Sequence, residues 1–316
     1  MSRSRRLWAA CAALGATALA LGVSASPVLA RHGTDSMGYT MDAYGVLHPL
    51  TIGGTASPAE DSGSASMHHW TWKIARGLAE QNNHTDGLVL DGWGGLHAWC
   101  APTSCTAPAV PSGAPYWAGW DIARGIVLLS GSITQGYILD GWGGVHPFGG
   151  APAVTTTGYW KGWDIARGIE LNPAGTNGCT QSGFVVDGWG GVHPFFTSDC
   201  TSPIGVVTTT GYWKGWDIVR GVALDNDGKT SNAGYTLDGW GGIHGWCAGT
   251  GCTPPASPSG PYWKGWDIAR GLVSLGSGTG YVLDGWGGVH GYGGQADPGF
   301  SGYSSGNDQF RDMDLN

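Results

Sequence analysis

Charged side chains are scarce in this sequence, and their scarcity limits the possible partners. Only 12% of the 316 residues are Asp, Glu, Lys or Arg, and the 15 basic residues are outnumbered by 23 acidic ones. The net charge is −8 and no basic patch is present, so we expect no nucleic-acid partner. Beyond the N-terminus, no apolar run approaches the roughly 18 residues that a membrane-spanning helix requires. We therefore expect no membrane span in the mature chain.

Motifs of several common enzyme classes are missing as well. The chain contains no G-x-S-x-G nucleophile motif, no H-E-x-x-H zinc motif and no phosphate-binding loop. Residues Asp225–Gly228 begin like a calcium loop but lack the later carboxylates, which indicates a plain turn. The spacing of the non-repeated acids identifies no catalytic pair of carboxylates. We expect no catalytic residue, no metal and no cofactor.

The N-terminus carries the one long apolar stretch. Three arginines within the first six residues precede Leu7–Val23, which is uncharged and rich in Ala and Leu, and Val28–Ala30 has the small residues of a cleavage site. This order predicts a secretory signal peptide over residues 1–30 and a mature domain over 31–316. The Arg5–Arg6 pair is also compatible with twin-arginine export, so both the Sec and the twin-arginine route stay open. We expect a secreted, extracellular protein.

Glycine and tryptophan are abundant, with 59 and 18 copies, and most of them lie in two boxes that recur along the chain. The WDIAR box reads YWKGWDIARGI at Tyr159–Ile169, and the DGWGG box reads GYILDGWGGVHPF at Gly136–Phe148. The box aspartates follow one another at intervals of 46 to 51 residues, a period typical of propellers and other repeat folds. These aspartates are Asp42, Asp91, Asp140, Asp187, Asp238 and Asp284.

Each repeat is predicted to form short β-strands. Strands are expected at Ile165–Leu171, Tyr137–Leu139 and Val145–Phe148, with a glycine turn at Gly141–Gly144 and a fourth strand within Val154–Trp160. Four short strands in about 47 residues have the size of one propeller blade. A β-helix uses shorter coils and a trefoil has three units, so the pattern favours an all-β propeller.

The two ends of the chain carry complementary half-repeats. A degraded DGWGG box spans residues 37–50, five full repeats span about 67–295, and a degraded WDIAR box spans 309–316. We align Phe310 with Trp263 and Met313 with Trp266. Joined together, the halves make a sixth unit and predict a closed six-bladed β-propeller. In the first WDIAR box, His69 replaces the leading tryptophan and Lys73 replaces the aspartate.

These boxes resemble those of secreted bacterial β-propeller repeat proteins, which carry a strand–Asp-Gly-Gly–strand hairpin in each unit of about 45 residues. The sequence is more distantly similar to tachylectin-like lectins. The resemblance covers nearly all of the mature chain and implies a propeller. It implies little about activity, because propellers include enzymes, lectins and scaffolds.

The cysteines fit this exported repeat protein. Six remain after removal of the predicted signal peptide, and an even count in an exported chain indicates disulfides. Two pairs occupy the same place in two repeats, so each is expected to close on itself and to leave the third pair. The predicted bridges are Cys100–Cys105, Cys179–Cys200 and Cys247–Cys252.

Most repeated polar residues are expected to be structural. The box aspartate can accept backbone N–H groups of its turn, and the histidine six residues later can reach it across the hairpin. Asp–Arg pairs in the WDIAR boxes are expected to fix the register of the blades. Beyond the aspartates given above, the members of this network are His97, His146, His193, His244, His290, Arg124, Arg167, Arg220 and Arg270.

The aromatic residues at the turn tips are the candidate ligand-binding residues. Flanking glycines cannot cover them, so exposed rings repeated around one face are predicted to bind sugar rings or peptides. Packing on a neighbouring blade is the alternative. Tryptophans of the type of Trp117 and Trp120 are expected in the core instead. The candidates are Tyr44, Trp93, Trp142, Trp189, Trp240 and Trp286.

The leading functional hypothesis is non-catalytic, lectin-like binding of carbohydrate or cell-surface glycans. The alternatives are a propeller enzyme acting on polysaccharide, either a glycosidase or a lyase, and an extracellular scaffold that binds protein. A lectin predicts equivalent pockets in most blades, whereas an enzyme predicts one deep axial pocket lined by unlike acids. A scaffold predicts a flat apolar patch.

Overall fold

The computed structural model describes residues 37–52, 69–81, 85–101, 105–173, 175–201, 204–225, 232–298 and 303–315. The predicted signal peptide lies outside these ranges. The described chain is all-β, with six small antiparallel sheets and one short 3-10 turn at Thr176–Gly178. Within the described ranges, no helix has the length and apolar character needed to cross a membrane.

The six sheets, named A to F, are built from twenty strands in chain order. Sheet A contains β1 (Met37–Asp42), β2 (Leu47–Thr51) and β20 (Phe310–Leu315). Sheet B contains β3 (Ala75–Glu80), β4 (Asp86–Asp91) and β5 (Leu96–Cys100), and sheet C contains β6 (Ala123–Leu128), β7 (Gly136–Asp140) and β8 (Val145–Phe148). Sheet D contains β9 (Thr155–Thr156), β10 (Ala166–Leu171), β11 (Ser182–Asp187) and β12 (Val192–Phe196). Sheet E contains β13 (Val207–Thr209), β14 (Val219–Leu224), β15 (Ala233–Asp238) and β16 (Ile243–Ala248), and sheet F contains β17 (Ala269–Gly276), β18 (Thr279–Asp284) and β19 (Val289–Tyr292).

The repeated boxes map onto the strands in one consistent way. The second half of each WDIAR box forms a first strand, and the DGWGG box forms the hairpin of the next two strands. Sheets D and E each have a short fourth strand, which comes from the segment just before the WDIAR box of that sheet. It pairs with the last strand of the DGWGG hairpin, β9 with β12 and β13 with β16. The predicted fourth strand within Val154–Trp160 is therefore present as β9, which pairs with β12.

A β-bulge interrupts each first strand at its arginine. In sheet D, Ala166 lies opposite Asp187 and Gly168 lies opposite Val186, so Arg167 has no partner across the ladder. The same shift recurs in the other five sheets. A bulge re-aims the side chain of the extra residue, and here the arginine leaves the face of the sheet.

Both ends of the chain form sheet A. Strand β20 pairs antiparallel with β1, with Gly38 opposite Leu315 and Thr40 opposite Met313. The two half-repeats are thus neighbours in one sheet, as the sequence predicts.

The predicted alignment of the last half-repeat was wrong in its backbone register. Asp308 and Arg311 form the i,i+3 pair that Asp267 and Arg270 form in the preceding repeat. Arg311 therefore corresponds to Arg270, whereas the alignment of Phe310 with Trp263 placed Arg311 opposite Lys264. The ring of Phe310 nevertheless lies against Gly287, just as Trp263 lies against Gly241. The sequence match rested on this aromatic ring, which fills the tryptophan's space from a different backbone position.

The first WDIAR box also required correction. Trp70, and not His69, fills the place of the leading tryptophan, because its N–H donates to the carbonyl of Tyr44 and its ring contacts His97. The equivalent Trp160 makes the same two contacts, with Trp142 and His193. A turn shortened by one residue explains the shift.

The hydrophobic core is divided among the junctions of neighbouring sheets. Six clusters of buried side chains lie between A and B, B and C, C and D, D and E, E and F, and F and A. The first strand of each sheet contacts that of the next, and β20 contacts both β17 and β3. This arrangement is consistent with a β-propeller-like fold.

Three disulfides join cysteines in sheets B, D and E. They are Cys100–Cys105, Cys179–Cys200 and Cys247–Cys252, the pairs predicted from the repeat. Two of the bridges close short loops at equivalent places, directly after the strands β5 and β16.

Candidate functional site

Each DGWGG hairpin is built on its aspartate. Asp140 is buried, and its Oδ1 accepts the N–H groups of Trp142 at 2.8 Å and Gly144 at 2.9 Å. Gly143 between them has φ of 87°, which a side chain would strain. Oδ2 lies 2.7 Å from Nε2 of His146. The carboxylate therefore holds the turn, and the histidine holds the carboxylate.

The same contacts recur in the hairpins of sheets B, D, E and F, with His–Asp distances of 2.8 to 2.9 Å. Each histidine ring meets, edge to face, the leading tryptophan of a WDIAR box, as Trp117 meets His146 with ring centroids 5.2 Å apart. These contacts favour the structural role predicted for the aspartates and histidines. Each of these histidines is therefore engaged on one side by its aspartate and on another by a tryptophan ring.

The turn-tip tryptophans are half-buried, which lies between the exposed rings and the packing on a neighbouring blade that the sequence left open. Trp142 lies between two rings, with Trp120 at 5.1 Å and Tyr159 at 6.5 Å between centroids, both edge to face. The tyrosine belongs to the start of the next WDIAR box, so each cluster spans two neighbouring sheets. The complete clusters are Trp120–Trp142–Tyr159, Trp163–Trp189–Tyr212, Trp216–Trp240–Tyr262 and Trp266–Trp286–Tyr303.

The outer two rings of each cluster are the exposed ones. Trp120 is 45% exposed, and the three equivalent tryptophans are each 44% exposed. Tyr159 and its equivalents are exposed by 53 to 57%. The expectation that Trp120 belongs to the core was wrong, although its neighbour Trp117 does pack inward. Trp120 lies directly after a turn at Gly119 that leads it away from the sheet.

Sequence reasoning missed these outer rings because it judged each tryptophan by its neighbours in the chain. Trp120 precedes an apolar strand, which suggested burial, but its side chain lies on a turn before the strand begins. The tyrosine that opens the box carried the overlooked signal, since a surface tyrosine repeated at one position is itself a sign of a binding surface.

Among the described residues, the one ring contact of Trp93 is with Tyr116, at 6.4 Å between centroids. Tyr44 stands at the corresponding tip in sheet A. The positions beside Tyr44 that correspond to the outer rings are Asn307 and His69. The aromatic cluster is therefore degraded at the junction of sheets A and B, which we call the seam.

A ring of ion pairs surrounds the centre of the molecule. Arg167 donates from Nε to Oδ1 of Asp217 in the next sheet at 3.0 Å and from Nη2 to the other oxygen. Its Nη1 also donates to Asp164, three residues earlier in its own chain, at 3.2 Å. The i,i+3 pair was predicted, but the bond to the next sheet was not, because no local spacing reveals it.

Five junctions carry this cross-sheet bond, and Arg76 and Arg311 join the four arginines identified from the sequence. The five pairs are Arg76–Asp121, Arg124–Asp164, Arg167–Asp217, Arg220–Asp267 and Arg270–Asp308. The arginine side chains are 16 to 20% exposed and the aspartates 41 to 43%. Partial exposure limits what each pair contributes to stability to about 1 kcal/mol.

The charges of the ring shift the pKa values of its members. Burial alone would raise the pKa of Asp267, but hydrogen bonds and charge from Arg220 and Arg270 outweigh it and lower that pKa. Burial would likewise lower the pKa of Arg270, and Asp308 and Asp267 outweigh it and raise the pKa. Both shifts favour the charged forms of Asp267 and Arg270, so this pair is ionised at neutral pH.

The first strands of all six sheets line a single axial cavity of about 140 Å³, with the six arginines among its lining residues. Asp312 and Asp314 of β20 also line it, where the other sheets carry glycine and mostly apolar residues. Asp312 accepts the N–H of Leu78 at 2.8 Å, and Asp314 accepts the N–H of Glu80 at 2.9 Å. Both carboxylates thus hold β3 of sheet B.

Asp312 is a buried acid with a shifted pKa. Burial is the main cause that raises the pKa of Asp312, to about 7. The negative charges of Asp314 and Glu170 also raise it, whereas hydrogen bonds from the N–H groups of Leu78 and Met313 lower it. Its oxygens accept two backbone N–H groups, so this acid is occupied in holding strands together rather than facing a substrate. Among the described residues, no three His, Cys, Asp or Glu side chains are placed to hold a metal ion.

No protein-family model matches this chain, and no curated protein matches it either. The candidate site therefore rests on the chain's own geometry: repeated aromatic clusters between sheets, arranged around a ring of arginines and aspartates.

Proposed function

We propose that this chain is a secreted six-bladed β-propeller that binds carbohydrate through its repeated aromatic clusters, without catalysis. The observation that carries the proposal is the exposed Trp–half-buried Trp–exposed Tyr cluster, which occurs in four complete copies. Because the cluster is formed by residues of the repeat itself, all four copies would bind the same type of ligand.

The proposal includes closure of the six sheets into one ring, which would space the clusters evenly. The pairing of β20 with β1 and the packing of sheet A against both sheets B and F support this closure. The three disulfides agree with an extracellular location, because such bonds persist in oxidising compartments.

The energetic argument concerns the exposed rings. Leaving a tryptophan ring about half in water forgoes roughly 1 kcal/mol or more of burial. The chain does this at the four outer tryptophans of the complete clusters and at Trp72, their equivalent in the first WDIAR box. The C–H faces of a sugar ring can cover such a surface, while the hydroxyl groups remain in water. Repeated weak sites add by avidity, so a polysaccharide would bind far more tightly than one sugar.

A glycan array with the mature protein identifies the ligand, and tryptophan fluorescence then measures binding. We expect Trp163→Ala to weaken binding of the best polysaccharide several-fold. Trp120→Ala, Trp163→Ala, Trp216→Ala and Trp266→Ala combined should abolish binding, because avidity is lost with the clusters. Because about half of each ring is buried, each substitution should lower the unfolding temperature modestly, and circular dichroism checks that the fourfold variant is still folded at the temperature of the binding assay.

Val206→Ala is the matched control, because Val206 is 82% exposed and belongs to none of the clusters. Its binding should equal that of the unchanged protein. Retention of polysaccharide binding by the fourfold variant would refute the aromatic clusters as the site, as would the absence of any response on the array.

A further inference from the structure

The seam differs from the other five junctions in the ring of charges. At each of those five, an aspartate lies between two arginines. It accepts N–H groups from Nε and Nη2 of the preceding sheet's arginine and from Nη1 of the arginine three residues after it. At the seam, Lys73 stands at the aspartate's position. Its ammonium donates to the backbone carbonyl of Asp308 at 3.1 Å.

The two arginines that flank the seam consequently have no carboxylate shared between them. Arg311 donates from Nη1 to Asp308 at 3.0 Å and to the carbonyl of Phe310, but its Nε meets no acceptor among the described residues. Arg76 is bonded to Asp121 on its far side, and its Nη1 has only the carbonyl of Ala75. Three N–H groups that bind a carboxylate elsewhere in the ring have none at the seam.

The charge balance of the ring points the same way. Within the ring itself, six arginines and Lys73 face five aspartates. This imbalance lies at the seam, where Lys73 stands at an aspartate's position, while the acids Asp312, Asp314 and Glu170 also line the cavity. Burial lowers the pKa of Arg311, and the positive charges of Arg270 and Arg76 lower it further. Asp308 raises this pKa, but not enough to reverse the shift. The pKa of the paired Arg167 is instead raised.

We propose that the seam is a binding site for the carboxylate group of a ligand, held at the mouth of the axial cavity by Arg311, Arg76 and Lys73. The five other junctions of the same molecule display the bound state, because there an aspartate carboxylate fills the equivalent position in a bidentate arrangement. The inference does not rest on the proposed carbohydrate function, since none of the four aromatic clusters takes part.

The depth of the bound group follows from one neighbouring residue. At the five regular junctions the aspartate lies over a glycine, where an added Cβ would approach its Oδ1 to 2.1 to 2.3 Å. At the seam that position is Ala43, whose carbonyl accepts the N–H of Ile74 as the carbonyl of Gly141 accepts that of Ile165. The methyl of Ala43 fills the inner part of the space, so a bound carboxylate lies further out, beside the ammonium of Lys73.

The test uses sodium acetate as the probe and the Nε–H resonances of isotope-labelled arginine as the readout, with sodium chloride keeping the ionic strength constant. Arg311→Lys assigns the resonance of Arg311. We expect a saturable shift of that resonance with a dissociation constant on the order of millimolar, while the resonance of Arg167 stays in place.

Two variants make the test specific. Ala43→Gly removes the methyl and should tighten acetate binding. Ala43→Gly combined with Lys73→Asp fills the site from within by copying the regular junction, so acetate affinity should fall at least about tenfold. The double variant is expected to fold, because the chain already contains this junction five times, and its amide spectrum checks that it does. No saturable shift in the unchanged protein, or an equal shift in the double variant, overturns the proposal.

Discussion

Five junctions between neighbouring sheets are built from the same parts, and the seam between sheets A and B is built from others. A regular junction has an aspartate over a glycine and a cross-sheet arginine bonded to that aspartate. The seam has Lys73 over Ala43, and two acids of β20, Asp312 and Asp314, bonded to the backbone of β3. Ion pairs between side chains join the sheets at the regular junctions. At the seam, hydrogen bonds between side chains and backbone groups join them.

The difference shows how noncovalent contacts can hold a strand from one end of the chain in place beside strands from the other end. At a regular junction other than that of F and A, all strands of both sheets come from neighbouring stretches of the chain. The seam also has to hold β20, which belongs to sheet A only through its pairing with β1. Its acids accept N–H groups of the neighbouring strand, so the last strand is fixed along its length and not only at the ring of charges.

Removal of β20 should produce the largest effect. Deleting residues 309–316 removes the buried side chains of Phe310, Met313 and Leu315, each worth about 2 to 5 kcal/mol. Their sum matches or exceeds the whole stability of a typical domain, so we expect loss of cooperative melting by circular dichroism and aggregation through the bared edge of β1. A synthetic peptide of residues 303–316 should restore the transition. A truncated protein that stays monomeric and melts unchanged would contradict the role of β20.

The buried acid of the seam should give stability a dependence on pH that the regular junctions lack. The pKa of Asp312 is about 7 in the folded chain against 3.8 as its ordinary value, so the folded state binds the proton more tightly. Its stabilising contribution is then full below pH 4, declines as pH rises and is lost above pH 7, by at most about 4 kcal/mol.

Asp312→Asn should remove this component. Urea unfolding at several pH values between 4 and 8 measures it, and the variant's free energy of unfolding should fall less steeply with rising pH than that of the unchanged protein. Asp199→Asn, at an exposed acid remote from the seam in the sequence, serves as the control. Equal slopes for the unchanged protein and Asp312→Asn would show that the acid does not titrate in this range.

Removing an arginine should cost more at a regular junction than at the seam. Arg167→Ala breaks bonds to two aspartates and should lower the free energy of unfolding by about 1 kcal/mol, with exposure of Asp217 limiting the loss. Arg311→Ala breaks a bond to one aspartate only and should cost about half as much. Urea unfolding at neutral pH compares the two, and an equal or larger loss at Arg311 would disprove the distinction.

The smallest effect is expected from converting the seam into a regular junction. Compared with Ala43→Gly alone, the double variant with Lys73→Asp should be more stable by about 0.5 to 1 kcal/mol, because Arg311 and Arg76 gain a shared carboxylate. Thermal melting in low salt measures the gain, and high salt should reduce it. A loss of stability in low salt would mean that the seam cannot accept the regular pairing.

Much of the fold could be predicted from the repeat. The period of the box aspartates predicted the β-sheet units, and the half-repeats at the two ends predicted that β1 and β20 would meet. Cys100–Cys105 and Cys247–Cys252 followed from equivalent positions in two repeats. Local chemistry suffices here, because a glycine turn, an aspartate before it and a histidine six residues later all act within one hairpin.

The outer surface could not be read in the same way. Whether Trp120 or Trp142 faces solvent depends on the turn that carries each ring and on a tyrosine from the next repeat. The register of β20 was missed for a related reason, since Phe310 fills a tryptophan's space from another backbone position. Contacts between repeats, unlike those within a hairpin, leave no fixed spacing in the sequence.

The sequence by itself determined the repeat unit, the hairpins and their aspartate–histidine pairs, because these contacts join residues a few positions apart. Only the tertiary structure decided which tryptophans form the exposed clusters, how Arg167 reaches Asp217 in the next sheet, and that Arg311 has no such partner. These features depend on where one sheet lies against another. Packing sets that geometry through side chains 38 to 50 residues apart in the chain, as the cross-sheet arginine–aspartate pairs show.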